Sequence, residues 1–132
     1  MIGFIIRDAV WAARRPPFAW RKEEKIMSKH SVIISTCPDK ETAKAIAKVL
    51  LEMRLVACVQ IFPIESVYLW KGKVCNEGEI MLFIKSKTDL LDKISATIKE
   101  NHPYEVPEVI QVPIKGGLPE YLSWIDDCTE LK

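Results

Sequence analysis

The chain is poor in the side chains from which catalytic and metal centres are commonly assembled. It has two histidines, His30 and His102, and from Met27 onward a single arginine, Arg54. A phosphatase-type anion loop lined by arginines is thereby excluded. G-x-S-x-G, P-loop and H-E-x-x-H signatures are all missing, which removes the commonest hydrolase and nucleotide-binding readings. The four cysteines, Cys37, Cys58, Cys75 and Cys128, stand 21, 17 and 53 residues apart with no C-x-x-C pair. Neither a structural zinc site nor a dithiol redox motif is therefore written into them. Scattered thiols without a secretory signal fit a reducing, cytoplasmic setting. Met1 to Val10 carries Arg7 and Asp8 and is followed by Arg14, Arg15 and two prolines, not by a small-residue cleavage site. No run approaches the ~18 apolar residues of a membrane span, so no membrane partner is expected.

At 132 residues the chain should form one folded domain. The net charge is +1, but residues 1–26 hold six Lys/Arg against three Asp/Glu, which leaves 13 against 15 for the rest. A mildly acidic folded part argues against a nucleic-acid partner. Residues 1–27 read as an N-terminal extension, mobile or non-native, ahead of a domain at 28–132: apolar patches, Trp11 and Trp20, an Arg-Arg-Pro-Pro break and a charged run lead to Met27. An Arg-rich amphipathic targeting peptide is the alternative for that segment.

From residue 28 the pattern predicts an α+β domain. Val32 to Ile34 reads as a buried strand. Pro38, Asp39 and Glu41 signal a helix start, and Ala43, Ile46, Ala47, Leu50 and Met53 fall on one apolar stripe. Val56–Ile61 and Ile64–Trp70 read as strand pieces interrupted at Pro63, Gly72 as a tight reversal, and Val74–Ser86 as the returning strand with a bulge at Gly78. Arms of this length span roughly 45 Å at ~3.3 Å per residue, so the hairpin must bend at Pro63 and Gly78 or project beyond its core. Thr88 and Asp89 open a second helix carrying Leu91, Ile94 and Ile98. Val109–Ile114 is the last strand, and Pro119 starts a closing helix expected to turn Leu118, Tyr121, Leu122 and Ile125 inward. The order βαββαβ plus a C-terminal helix is the ferredoxin-like split arrangement. A projecting hairpin that exposes Val67, Tyr68, Leu69, Trp70 and Val74 reads as an oligomerisation arm. RNA-recognition domains share this order, but Ile80-Met81-Leu82-Phe83-Ile84 offers only one aromatic and no Lys/Arg-Gly start.

The candidate chemistry is sparse. His102-Pro103-Tyr104-Glu105-Val106-Pro107-Glu108 packs an imidazole, a phenol and two carboxylates between two prolines, which stiffen the loop. Cys58 and His102 would suit copper or zinc, and Glu105 or Glu108 a harder ion. Each has a plain structural alternative: a small buried thiol, a helix-end cap, a solvated acid. Tyr68 and Trp70 share one face of the hairpin, with Lys85 at the end of the apolar strand. They form either a cross-strand cluster or the wall of an anion pocket. The residues themselves favour an oligomeric binding protein that is not an enzyme.

From about Ser31 to Asp127 the chain resembles the CutA family, the divalent-cation tolerance proteins. The resemblance rests on Thr36-Cys37-Pro38-Asp39, Leu55-Val56-Ala57-Cys58-Val59, Tyr68-Leu69-Trp70-Lys71-Gly72-Lys73, Ile84-Lys85-Ser86, the His102–Glu108 stretch and Tyr121-Leu122-Ser123-Trp124. It implies a homotrimer whose long hairpins pair between subunits, binding copper or another divalent metal that folding does not require. It further implies Cys58 and His102 as ligands and Tyr68, Trp70 and Lys85 around a pocket; from the loop itself, Glu105 is expected beside the metal ligands and Tyr104 beside the pocket. A further family cysteine falls at Ser35 here. A small-anion-binding trimer like the nitrogen-regulatory PII proteins is the second reading, with metal binding incidental.

Overall fold

The computed structural model describes residues 28–129. The expected extension at 1–27 therefore lies outside the described residues. The elements are β1 (His30–Cys37), α1 (Lys40–Glu52), β2 (Cys58–Trp70), β3 (Lys73–Lys87), a short 3₁₀ turn (Thr88–Leu90), α2 (Leu91–Glu100), β4 (Val109–Ile114) and α3 (Pro119–Cys128). The four strands form one sheet in the order β2-β3-β1-β4, with every neighbouring pair antiparallel. This is the split βαββαβ order expected from the sequence.

Local chemistry explains the elements. Asp39 caps α1 by accepting the Thr42 N–H at 2.7 Å, which satisfies one of the donors a helix start leaves open. The helix closes by Leu55 N–H bonding to Leu50 C=O, with Arg54 in the left-handed region at φ 56°, a place glycine usually takes. Ala43, Ile46, Ala47 and Leu50 face the sheet, and Ile94 and Ile98 of α2 join them. They close over Ile33 of β1 and Leu82 and Ile84 of β3 to make one core. Met53 does not belong to that stripe: it is the C-cap of α1 and is exposed, because the helix ends before its turn reaches the sheet.

The hairpin departs from expectation. β2 runs unbroken through Pro63 for 13 residues, and β3 runs for 15. Pairing stays one to one from Cys58↔Lys85 to Trp70↔Lys73, so Gly78 forms no bulge. Pro63 is tolerated because β2 is an edge strand, where a missing donor can face solvent. The turn is Lys71-Gly72, with φ 49° and 77°, the double left-handed geometry of a two-residue hairpin. Since β1 covers β3 only from Ile80 to Lys87, residues 64–70 and 73–79 project as a two-stranded arm. Val67, Leu69 and Val74 on that arm are 65%, 72% and 73% exposed.

The closing helix also differs in part from its expected packing. Ile125 is buried and Leu122 half-buried, but Leu118 and Tyr121 are exposed. The reason is where α3 sits: it lies on the sheet face opposite α1 and α2, held by His30 Nε2 to Asp126 Oδ1 at 2.9 Å and Lys29 Nζ to Asp126 Oδ2 at 3.3 Å. Burial pushes the Asp126 carboxyl up, but the hydrogen bonds from His30 and Lys29 outweigh it and hold the group below its ordinary range.

Ser35 is fully buried on the α1/α2 side, and its Oγ is the one buried side-chain polar atom among the described residues with no hydrogen-bond partner. An unsatisfied buried hydroxyl costs roughly 1 to 3 kcal/mol. Ser35→Ala is therefore expected to stabilise the domain by about 1 kcal/mol, read as a higher urea midpoint with an unchanged slope at fixed protein concentration. An unchanged or lower midpoint would show that the hydroxyl is satisfied.

Candidate functional site

The loop His102–Glu108 joins α2 to β4 and closes over the far end of β1. His102 fixes it there: its Nε2 contacts the Thr36 C=O at 2.7 Å, and Tyr104 N–H donates to its Nδ1 at 3.1 Å. A backbone N–H can only donate, so Nδ1 is the bare nitrogen and Nε2 carries the proton given to Thr36. The ring is neutral in this arrangement. Tyr104 stacks beside it, with ring centroids 4.7 Å apart at 49°, and is buried. The Tyr104 hydroxyl lies 3.4 Å from Glu79 Oε2, and Ser66 Oγ donates to Glu79 Oε1 at 2.6 Å.

Glu79 is the centre of this region. It stands on β3 where the arm leaves the four-stranded sheet, and it is only 3% exposed. Around it is a cavity of about 370 Å³ lined by residues of β1, β2, β3 and the loop, including Thr36, Ser66, Tyr68, Met81 and Glu108. Burial first, and the charge of Glu79 second, push the Glu108 carboxyl up. Burial lowers the affinity of His102 for a proton, offset in part by its hydrogen bond to Thr36 and by Glu79. Burial also raises the Tyr68 phenol, with the neighbouring Cys75 and Glu79 adding to it.

The expected site residues divide into groups. His102, Tyr104 and Tyr68 come together around Glu79. Cys58 does not join them: it pairs with Lys85, while Thr36, which holds His102, pairs with Met81. Those positions are four residues apart on β3, or roughly 13 Å at ~3.3 Å per residue. Glu105 is exposed on the loop. Trp70 is at the hairpin tip, with Lys71 Nζ 5.7 Å from its ring centroid. Lys85 is at the other end of the hairpin, where its ammonium donates to Gln60 Oε1 at 2.7 Å and lies 5.6 Å from the Tyr121 ring. Within one chain the aromatic wall and the lysine therefore do not form one pocket. Among the described residues no three His, Cys, Asp or Glu side chains converge as a metal site.

Glu79, Ser66 and Thr36 were not expected. A signal for the first two existed: counting back from the Lys71-Gly72 turn pairs Ile64 with Glu79, which places Glu79 on the face shared by Ser66 and Tyr68. The contact from Thr36 to His102 joins residues 66 apart and has no local signature.

Comparison with known proteins identifies the family and the fold. A family model described as CutA1 divalent ion tolerance protein matches residues 31–128. Protein CutA 1, chloroplastic, of Oryza sativa is 48% identical over 99 residues, covering 74% of this chain and 56% of that protein. The divalent-cation tolerance protein CutA of Thermus thermophilus is 42% identical over 99 residues, 74% of this chain and 96% of that protein. The chain thus spans little more than half the length of the rice relative and nearly all of the bacterial one. Among solved structures, CutA1 from Oryza sativa superposes with a TM-score of 0.76 at 44% identity, covering 80% of this chain and 98% of that one. The periplasmic divalent cation tolerance protein CutA from Archaeoglobus fulgidus gives 0.75 at 40% identity, covering 76% and 99%.

The depressed His102 makes a pH prediction. A folded value below the ordinary 6.5 means the unfolded chain binds the proton more readily, so this contribution to stability is present above about 6.5 and is lost as pH falls through the folded value. Glu108 acts in the opposite sense, its contribution present below its ordinary value of 4.5 and lost as pH rises through the raised one. The His102 ring proton, followed by NMR, is expected to titrate below free histidine; a midpoint at or above it would contradict the buried, doubly bonded ring.

Proposed function

Because the chain belongs to the CutA1 divalent ion tolerance family, we propose that it forms a homotrimer through its hairpin arms and binds copper or another divalent metal ion. The observation that carries this reading is the unbroken hairpin that leaves the sheet with Val67, Leu69 and Val74 exposed. Apolar strand edges of that kind are stable in water when another chain covers them. Cys58, His102 and Glu105 are the ligands in this proposal, contributed by more than one protomer, since within a chain they stand apart. His102 coordinates by giving up either the Tyr104 N–H at Nδ1 or the proton at Nε2. In this proposal the metal is not required for folding, a reading supported by the apolar cluster of Ile33, Leu50, Leu82, Ile84 and Ile98. The free thiols support a reducing, cytoplasmic location, and no catalytic role is proposed.

The small-anion reading would make Lys85 the anchor. Its ammonium is already engaged by Gln60 and the Tyr121 ring, and no Lys or Arg lines the cavity at Glu79. The electrostatics of that cavity therefore favour cations over anions.

Light scattering after size exclusion at micromolar protein is expected to give three times the chain mass; a monomer mass would remove the arm-pairing proposal. Copper titration of the apo protein under reducing conditions should then show affinity falling by about tenfold or more in Cys58→Ala and His102→Ala. Equal affinity in all three proteins would take both residues out of the site.

A further inference from the structure

We propose that Glu79 is a positioning residue that makes the placement of His102 depend on the pairing of the arm with another chain. This rests on the arm-pairing reading above and deepens it, by giving assembly control over the loop that carries His102. The Glu79 carboxylate is shared between two segments, one oxygen to each. Oε1 accepts from Ser66 Oγ of β2 at 2.6 Å, and Oε2 from the Tyr104 hydroxyl of the loop at 3.4 Å. From Tyr104 the backbone N–H donates to His102 Nδ1, and His102 Nε2 donates to the Thr36 C=O. Ser66, Glu79, Tyr104, His102 and Thr36 thus form one relay from the arm to the end of β1.

The arm end of the relay is the part that a second chain changes. Ser66 stands opposite Glu77, and Glu79 is its diagonal neighbour on the same face. β1 pairs with β3 only as far as Ile80, so among the described strands Ser66 is held in register by β3 alone. A two-stranded ribbon is marginal in water, and a strand laid along it fixes Ser66. Glu79 is 3% exposed, so little water can replace a lost hydroxyl. Loss of the Ser66 bond frees the Glu79 side chain to leave the rotamer that aims Oε2 at Tyr104. The Tyr104 bond is the longest of the relay and is the first to yield. None of these bonds requires the cavity to stay open, so a covering chain is compatible with all of them.

The test is hydrogen exchange of the full chain without metal, read at the amide of residue 104, which the His102 ring accepts, and at Ile84 in the core. Tyr104→Phe keeps the ring and the backbone N–H but removes the bond to Glu79; exchange at residue 104 is expected to quicken about tenfold, well beyond any change at Ile84. Leu69→Glu, on the exposed part of the arm, should give a one-chain mass by light scattering and quicken residue 104 about threefold or more. Added to Tyr104→Phe it should quicken residue 104 no further, because the relay is already cut. If Leu69→Glu does not fold, Ser66→Ala takes its place with the same expectation for exchange. Ile46→Val, a core change, should quicken Ile84 at least as much as residue 104, which separates positioning from general loosening. A one-chain mass for the wild type removes the arm pairing and this proposal with it. A three-chain mass removes this proposal alone if residue 104 is indifferent to the arm substitution, or if the Leu69→Glu and Tyr104→Phe effects multiply.

Discussion

The constraint on which the rest depends is the one-to-one register of the β2–β3 hairpin. Two consecutive left-handed residues, Lys71 and Gly72, set it, and thirteen pairs follow without a slip. Strand side chains alternate between faces, so a slip of one residue would exchange every member of the pair across the sheet. Leu82 and Ile84 would leave the core, and Glu79 would turn from the cavity into the side where the helices pack. The register therefore fixes the core and the cavity together. It also sets the length of the arm, because β1 stops pairing at Ile80 and among the described strands none pairs with β3 beyond it except β2.

A second dependence runs through His102. Its side chain ties the loop after α2 to the end of β1, through the Thr36 carbonyl on one nitrogen and the Tyr104 N–H on the other. These two hydrogen bonds to the backbone bring the Tyr104 hydroxyl over Glu79. Stiffness from Pro103 and Pro107 alone would restrict the loop without aiming it. Positioning and ligation thus compete for the same two nitrogens, and any coordination by His102 is coupled to the placement of Tyr104.

Much of the fold was legible because it is local or periodic. The apolar stripe of α1, the Asp39 cap, the Lys-Gly turn and the strand alternation each follow from spacing within a few residues. The errors share one cause, the overriding of local rules by place in the sheet. Pro63 breaks a central strand but not an edge one, Gly78 permits a bulge without requiring it, and Leu118 and Tyr121 keep helical spacing while α3 takes the opposite sheet face. The candidate site was less legible. His102 and Tyr104 stood out as residue types, but Glu79 is one acid before an apolar run, and only its partner across the hairpin reveals where it points.

Pro63 carries one more consequence, for association between chains. In a two-residue hairpin the pair next to the turn, Trp70↔Lys73, is hydrogen-bonded, and pairs then alternate along the ladder. Counting down, Pro63↔Ile80 is a non-bonded pair, so the donor that proline lacks belongs to the outer edge of β2. A foreign strand laid along that edge finds donors at Glu65, Val67 and Leu69 and none at Pro63. The gap limits runaway strand addition at the base of the hairpin while leaving the outer segment able to accept a short, in-register partner.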